Sequence, residues 1–302
     1  MKLQRVVGLL ALGGTAVLGY SLAEATWYRL RRVDVPVLRP GTPPLSVLHL
    51  SDAHFTAQQR RKVAWVQALA RLRPDFVALT GDNFAFGDAM ETALEALEPL
   101  LRFPGAFVFG SNDYYSAVRK NPLTYLAAFG GSPRTPPLRR PDLPTEAFRG
   151  VLTRAGWHDL NNARANVTLG QGGLTVDLTG LADPHLGWDK MPPPASHAAA
   201  DLVIGLVHAP YRRAVQALVD DAARLVLAGH THGGQVALPG LGALVSNTDL
   251  PLRYARGSHR WPDSDPQAPS YLEVTVGLGT SPYVPVRLAA RPEAVLLRLV
   301  TS

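Results

Sequence analysis

Apolar runs and amphipathic stretches take turns along the chain. Ser46–Leu50, Phe76–Thr80 and Ala106–Phe109 are short apolar runs, the pattern of buried strands. Between them, Arg60–Leu72 carries Val63, Val66, Leu69 and Ala70 at helical spacing, and Ala89–Arg102 carries Leu94, Leu97 and Leu101 on one face. This β-α-β-α-β order predicts a mostly parallel sheet with helices packed on it. Further on, the pattern predicts a helix over Phe148–Ala155 and a hairpin of Val167–Leu169 with Leu174–Thr179, turning through Gly170 and Gly172-Gly173. A strand over Leu202–Val207, a helix over Arg212–Val219 and a strand over Arg224–Leu227 follow. Short strands are expected around Val236 and Leu244, and over Tyr271–Val276 and Ala294–Val300. Two proline-rich stretches interrupt the pattern. Val33–Pro44 reads as a stiff linker. Gly130–Pro144 reads as a surface excursion, with a lid over a site as the alternative.

Val6–Ala23 is 18 residues without a charge, preceded by Lys2 and Arg5. That is near the lower limit for a membrane-spanning helix and longer than the apolar region of a signal peptide. Tyr20, Trp27 and Tyr28 suit the headgroup level. Residues 1–40 are therefore expected to be a single-pass membrane anchor, spanning through residues 6–23, and a linker. The alternative is a signal peptide cleaved after Ser21-Leu22-Ala23, with the protein exported. Residues 41–302 are expected to form one domain.

Composition narrows the picture. With 46% hydrophobic residues and a mean hydropathy of +0.02, the chain of 302 residues is not a disordered one. Its formal charge of +6 invites a nucleic-acid reading. Residues 1–40, however, hold Lys2, Arg5, Arg29, Arg31, Arg32 and Arg39 against Glu24 and Asp34. The rest is close to neutral, and no specific nucleic-acid partner is expected. Of the basic cluster Arg60, Arg61, Lys62, Arg71 and Arg73, a solvated helix face is expected, with a face toward anionic lipid as the alternative. There is no cysteine, which excludes disulfide scaffolds, thiol catalysis, zinc fingers and iron–sulfur clusters.

The chemistry gathers at strand ends. Ser51-Asp52-Ala53-His54, Gly81-Asp82, His208 and Gly229-His230-Thr231-His232 each close an apolar run. Ligands in open α/β sheets sit beyond the carboxyl ends of strands. Carboxylates and imidazoles without thiolates suit relatively hard divalent cations, and two such ions can clamp a phosphoryl group. Asp82, closing a central strand, is the natural bridge between them. His49 lies inside a strand and reads as a core histidine. His158, His197 and His259 read as solvated loop residues.

The ordered set Asp52/His54, Gly81/Asp82, Gly110–Asp113, His208 and Gly229/His230/His232 resembles the calcineurin-like metallophosphoesterase superfamily. The run Gly229–Val236 and the segment Gly277–Thr280 look like its bacterial, often membrane-associated branch. The resemblance implies a four-layer α-β-β-α sandwich of two mixed sheets, here preceded by the N-terminal transmembrane or signal-anchor helix. It implies two divalent metal ions, Mn, Fe, Zn or similar. Asp52, His54 and His232 would hold the first, Asn112, His208 and His230 the second, and Asp82 both. The implied activity is hydrolysis of a phosphodiester or phosphoanhydride, lipid-linked in one reading, by attack of a metal-bridging hydroxide.

The third motif departs from the family pattern. It reads Gly110-Ser111-Asn112-Asp113, without the family's histidine. Either Asn112 supplies an amide oxygen to the metal, or Ser111 holds that place and Asn112 bonds the phosphate. Asp82, Asn112 and Asp113 are the expected catalytic residues, and His185 is a candidate to protonate the leaving group. The missing histidine also supports an alternative: a metal-binding, catalytically weak, membrane-attached interaction module.

Overall fold

The computed structural model describes residues 2–119, 140–262, 264–265 and 267–302, with residues 2–12 as backbone only. In chain order its elements are α1 (Lys2–Glu24), β1 (Arg29–Leu38), β2 (Leu45–Leu50), α2 (Arg60–Ala68), β3 (Phe76–Leu79), α3 (Met90–Leu97), β4 (Gly105–Phe107) and α4 (Thr145–Arg154). There follow β5 (His158–Asp159), β6 (Ala163–Leu169), β7 (Leu174–Leu181), β8 (Leu202–Val207), α5 (Arg212–Asp220), β9 (Leu225–Ala228), β10 (Ala237–Leu238), β11 (Gly242–Ala243), β12 (Gly257–Trp261), β13 (Ser270–Val274) and β14 (Glu293–Thr301).

Two six-stranded mixed sheets carry the fold, in the orders β1-β14-β2-β3-β4-β5 and β12-β13-β9-β8-β7-β6. In the first sheet only β14 and β2 pair antiparallel. In the second the two outer pairs are antiparallel and the centre is parallel. Strand parity sets the layers. Leu45 and Val47 of β2 face the second sheet, where they pack with Val176, Ile204, Leu206 and Leu225. Leu48 and Leu50 face the other way, against Val63 and Val66 of α2, Ala93 and Leu97 of α3 and Phe148 of α4. Ala214, Val215 and Leu218 of α5 cover the outer face of the second sheet at Val203, Val207 and Val226. Central strands buried on both faces read as continuous apolar runs, which is why they were visible in the sequence.

The segment expected as a linker is a strand as far as Leu38. Val35, Val37 and Leu38 are buried, and β1 lies parallel to β14 with Arg29 opposite Glu293. Pro36 fits because β1 is an edge strand, where a missing N–H leaves no ladder bond unmade. The charge assigned to a membrane flank also does other work. Arg29 Nη2 reaches Glu293 Oε2 at 2.6 Å, and Arg31 pairs with Glu293 at 3.0 Å and with the buried Glu273 of β13, so it ties the two sheets together.

Four smaller expectations change. Lys62 is buried rather than on a solvated helix face: its Nζ donates to Ala53 O at 2.7 Å and lies over the Phe55 ring. His158 and His259 sit in β5 and β12, and His197 Nδ1 meets Asp177 Oδ2 at 2.7 Å. His49 is a core histidine as expected, its Nε2 2.8 Å from Thr80 Oγ1. Of the Gly130–Pro144 excursion, residues 130–139 lie outside the described residues.

Among the described residues no helix is long and apolar enough to cross a membrane. Residues 6–12 of the expected anchor lie outside those with described side chains. Residues 13–20 of α1 are all exposed, and only Ser21 and Glu24 at its end are buried. That end is docked: Ser21 O accepts from Arg287 N at 2.9 Å, and the Glu24 carboxylate accepts from the N–H groups of Ala289 and Ala290.

Candidate metal centre

Five strand ends converge. Asp52 and His54 follow β2, Asp82 follows β3 and Asn112 follows β4, all from the first sheet. From the second, His208 follows β8, and His230 and His232 follow β9. His54 Nε2 lies 3.2 Å from His232 Nε2, and His208 Nε2 lies 3.2 Å from His230 Nδ1. Asp82 stands between the pairs, with Oδ2 3.5 Å from His54 Nε2 and Oδ1 3.5 Å from His208 Nε2. Asp52 Oδ1 is 3.5 Å from His232 Nε2. Two overlapping groups, Asp52/His54/His232 and Asp52/Asp82/His208, bring their donor atoms within 4.8 Å of one another.

The backbone is bent to achieve this. Asp52, His54, Asp82, His230 and His232 all have φ between 40° and 68°, a region that costs a non-glycine residue energy and recurs at functional sites. Close approach also requires glycine. A Cβ on Gly110 would collide with Asp82 Oδ1 and His208 Nε2, and one on Gly229 with Ser51 Oγ and Asp52 Oδ2.

Burial and mutual charge set the protonation. Burial raises the Asp52 carboxyl to about 6, against the pull of His208. Burial would also raise Asp82, but His208, His54 and the Asn112 amide together more than offset it and hold this carboxyl well below its ordinary value. Conversely, burial would lower His208, and Asp82 raises it well above its ordinary value. His54 is pushed down to about 4 by burial, and His230 and His232 are pushed well below the usual imidazole range by burial and by the neighbouring histidines. The centre therefore holds three neutral imidazoles whose nitrogens face an imidazole or carboxylate. It also holds a buried carboxylate oxygen, Asp52 Oδ1, with no hydrogen-bond partner. Such a donor set fits divalent cations.

Neighbours fix the orientation of these side chains. His208 Nδ1 donates to Thr80 O at 2.6 Å, so on losing its other proton His208 presents the Nε2 lone pair to the centre. Asp52 Oδ2 accepts from Ser51 Oγ at 2.6 Å and from His230 N at 2.9 Å. Arg287, fully buried, has Nη2 3.1 Å from His232 Nδ1 and donates to the carbonyls of Val276 and Ala290 at 2.8 and 2.9 Å.

The remaining expected residues divide. Asn112 faces the centre: its backbone N–H donates to Asp82 Oδ1 and its amide Nδ2 to Asp82 Oδ2, both at 2.7 Å. Turning the amide about its last torsion would present the oxygen instead. Asp113 faces away from the centre. Its carboxylate accepts from the N–H groups of Asp82, Asn83 and Gly110 and from the Asn83 amide, at 2.7–3.0 Å, and so sews the β3 and β4 ends together. This makes it a positioning residue. His185 stands at the rim, its ring centroid 4.7 Å from that of His230 and its Nδ1 3.0 Å from Tyr211 Oη.

Sequence reasoning passed over Asp183 and Arg287. Asp183 closes β7 on the same edge and is fully buried. One oxygen accepts from His185 N at 2.8 Å, and burial raises the carboxyl to about 7. The strand-end rule could have found it. Arg287 belongs to no motif. A cavity of about 340 Å³ lies beside the loop after Asp113, lined by Tyr114, Pro144 and Trp188 among others, rather than over the centre.

The family model for calcineurin-like phosphoesterases matches residues 45–234. The chain is 27% identical to phosphodiesterase YaeI of Escherichia coli, over 92% of this chain and 90% of that one. It is 25% identical to the uncharacterized metallophosphoesterase YkuE of Bacillus subtilis, over 99% and 96%. Among solved structures, TT1561 of Thermus thermophilus aligns with a TM-score of 0.39 and 11% identity, covering 78% of this chain and 91% of that one.

Proposed function

The chain belongs to the calcineurin-like phosphoesterase family, and from that premise we propose that it hydrolyses phosphodiesters or phosphoanhydrides with two divalent cations. The observation that carries this reading is the position of Asp82, one oxygen toward His54 and the other toward His208. Asp52, His54 and His232 would hold one cation, Asn112, His208 and His230 the other, and Asp82 both. When bound, such ions acidify a water and neutralise charge on the phosphoryl group. The chain's own residues supply the rest. Thr80 O keeps the His208 lone pair turned inward. Asp113 keeps the two loops that carry Asp82 and Asn112 in register. His185, at the rim and bonded to Tyr211, would give a proton to a departing oxygen. The proposal includes α1 as a membrane anchor through residues 6–23, supported by the exposure of Val17 and Leu18 at 52% and 54%. With it goes a substrate at the membrane, such as a lipid-linked phosphodiester.

The test is hydrolysis of bis-p-nitrophenyl phosphate by the protein supplied with Mn, Zn or Fe. Wild type is expected to turn over and Asp82→Asn to be inactive while retaining its circular dichroism. Equal rates for the two would overturn the assignment. Two bound cations without turnover on any phosphate ester would favour an interaction module instead. An imidazole-like acid limb that persists in the pH–rate profile of His185→Ala would remove His185 from its role.

A further inference from the structure

From Leu225 to Thr248 the chain contains no Asp, Glu, Lys or Arg. This stretch includes His230 and His232 and then runs directly into the β10–β11 hairpin. The hairpin is a separate two-stranded unit outside both sheets. Ala237 is buried, but three larger apolar side chains here are not: Val236 and Leu238 are 37% and 39% exposed, and Leu241 at the tip is 81% exposed. Leu252, 46% exposed, extends the patch from the next turn. Soluble proteins normally guard such a hairpin with charge, and a contiguous uncharged apolar patch marks a contact surface.

The hairpin grows from the rim of the metal centre. Gly234, two residues after His232, is packed so closely on Ala243 of β11 that a Cβ there would stand 2.7 Å from the Ala243 Cβ. It also shares a root with α1. Val236 bridges to Leu288, and Ala237 N donates to Leu288 O at 2.8 Å. The adjoining residues, Arg287, Ala289 and Ala290, receive Ser21 and Glu24 at the end of α1. Two exposed apolar elements thus leave the body from neighbouring points of one short segment. Aromatic and basic side chains accompany them. Trp27 packs edge-on against Tyr20 with Arg291 over its ring, and Arg253 follows Leu252. Apolar tips with aromatic and basic neighbours match the layering of an anionic bilayer surface.

We propose that the β10–β11 hairpin is a second membrane contact, which seats the rim of the metal centre against an anionic lipid bilayer beside α1. This rests on the anchor reading of α1, and the test separates the two. Because the chain has no cysteine, single sites can be labelled in the full-length protein. Leu241→Cys, Val17→Cys and, on the exposed side of α4, Glu146→Cys would each carry an environment-sensitive dye. The proteins are reconstituted into vesicles of phosphatidylethanolamine and phosphatidylglycerol doped with bromine-tailed lipid. Quenching of about twofold or more is expected at positions 241 and 17, and none at 146. Quenching at 17 without quenching at 241 overturns the hairpin proposal and leaves the anchor standing. No quenching at either overturns both. A blue shift at 241 without vesicles that grows with protein concentration overturns it in favour of a second copy of the chain. Activity on soluble bis-p-nitrophenyl phosphate, measured on the same samples, reports separately on the phosphoesterase reading.

Discussion

The two sheets hold their halves of the metal centre with buried charges of opposite sign. On the first sheet's side, a carboxylate gathers donors: Asp113 takes three backbone N–H groups and one amide at the ends of β3 and β4. On the second sheet's side, a guanidinium gathers acceptors: Arg287 donates to the carbonyls of Val276, Gly277 and Ala290. Both solve the same problem. A strand that turns sharply to aim a ligand leaves its backbone groups without a ladder, and buried orphans are costly. Whether N–H or C=O groups are left facing inward decides whether an anion or a cation collects them.

Asp113→Ala leaves four buried donors unpaired, and is expected to cost about 3–5 kcal/mol in urea unfolding. A loss below about 1 kcal/mol would mean that the loops are held by something else. Next comes Arg287→Lys, which keeps the charge but not the planar fork. It is expected to weaken Mn binding about tenfold in calorimetric titration, the lower end of the range for residues that orient a ligand. Unchanged affinity would make Arg287 a purely structural residue. Ile204→Val, in the core between the sheets, sharpens the contrast. It should cost about 1 kcal/mol of stability and leave Mn affinity alone. If affinity falls as much as in Arg287→Lys, sheet packing rather than the buried charges sets the site.

The smallest expected effect is a slope. Burial, with some help from Arg287, lowers the Lys62 ammonium from 10.5 to about 7. Between those two pH values the unfolded chain carries a proton that the folded chain lacks. The contribution of this position to stability therefore rises from pH 7 to 10.5 and falls as pH drops back to 7. Denaturant midpoints across that range should be flatter for Lys62→Met than for wild type.

These contrasts also explain what the sequence could show. Asp52-x-His54, Gly81-Asp82 and Gly229-His230-x-His232 are local, because each ligand pair is set by one strand end and its turn. The strands that position them are apolar on both faces and hard to miss. By contrast, β1 was hidden by Pro36 and by arginines whose partners, Glu273 and Glu293, lie at the far end of the chain. Arg287 was hidden for the same reason. A residue that works by collecting carbonyls from several loops has no pattern of its own in one dimension. Lys62 looked like part of a basic face because neither its acceptor, the backbone carbonyl of Ala53, nor its burial leaves a trace in the residue types around it.

The strand order has a consequence for how the molecule is made. β14, far along the chain from both of its neighbours, lies between β1 and β2. While the polypeptide is still growing, all seven proposed ligands emerge before the strand that joins β1 to the rest of its sheet. Until then β2 is an open edge, and Glu293 is not there to meet Arg29 and Arg31. The half of the centre that carries Asp52 and His54 is therefore completed only when this distant strand inserts, a long-range step that is slow and leaves an apolar edge exposed while it waits.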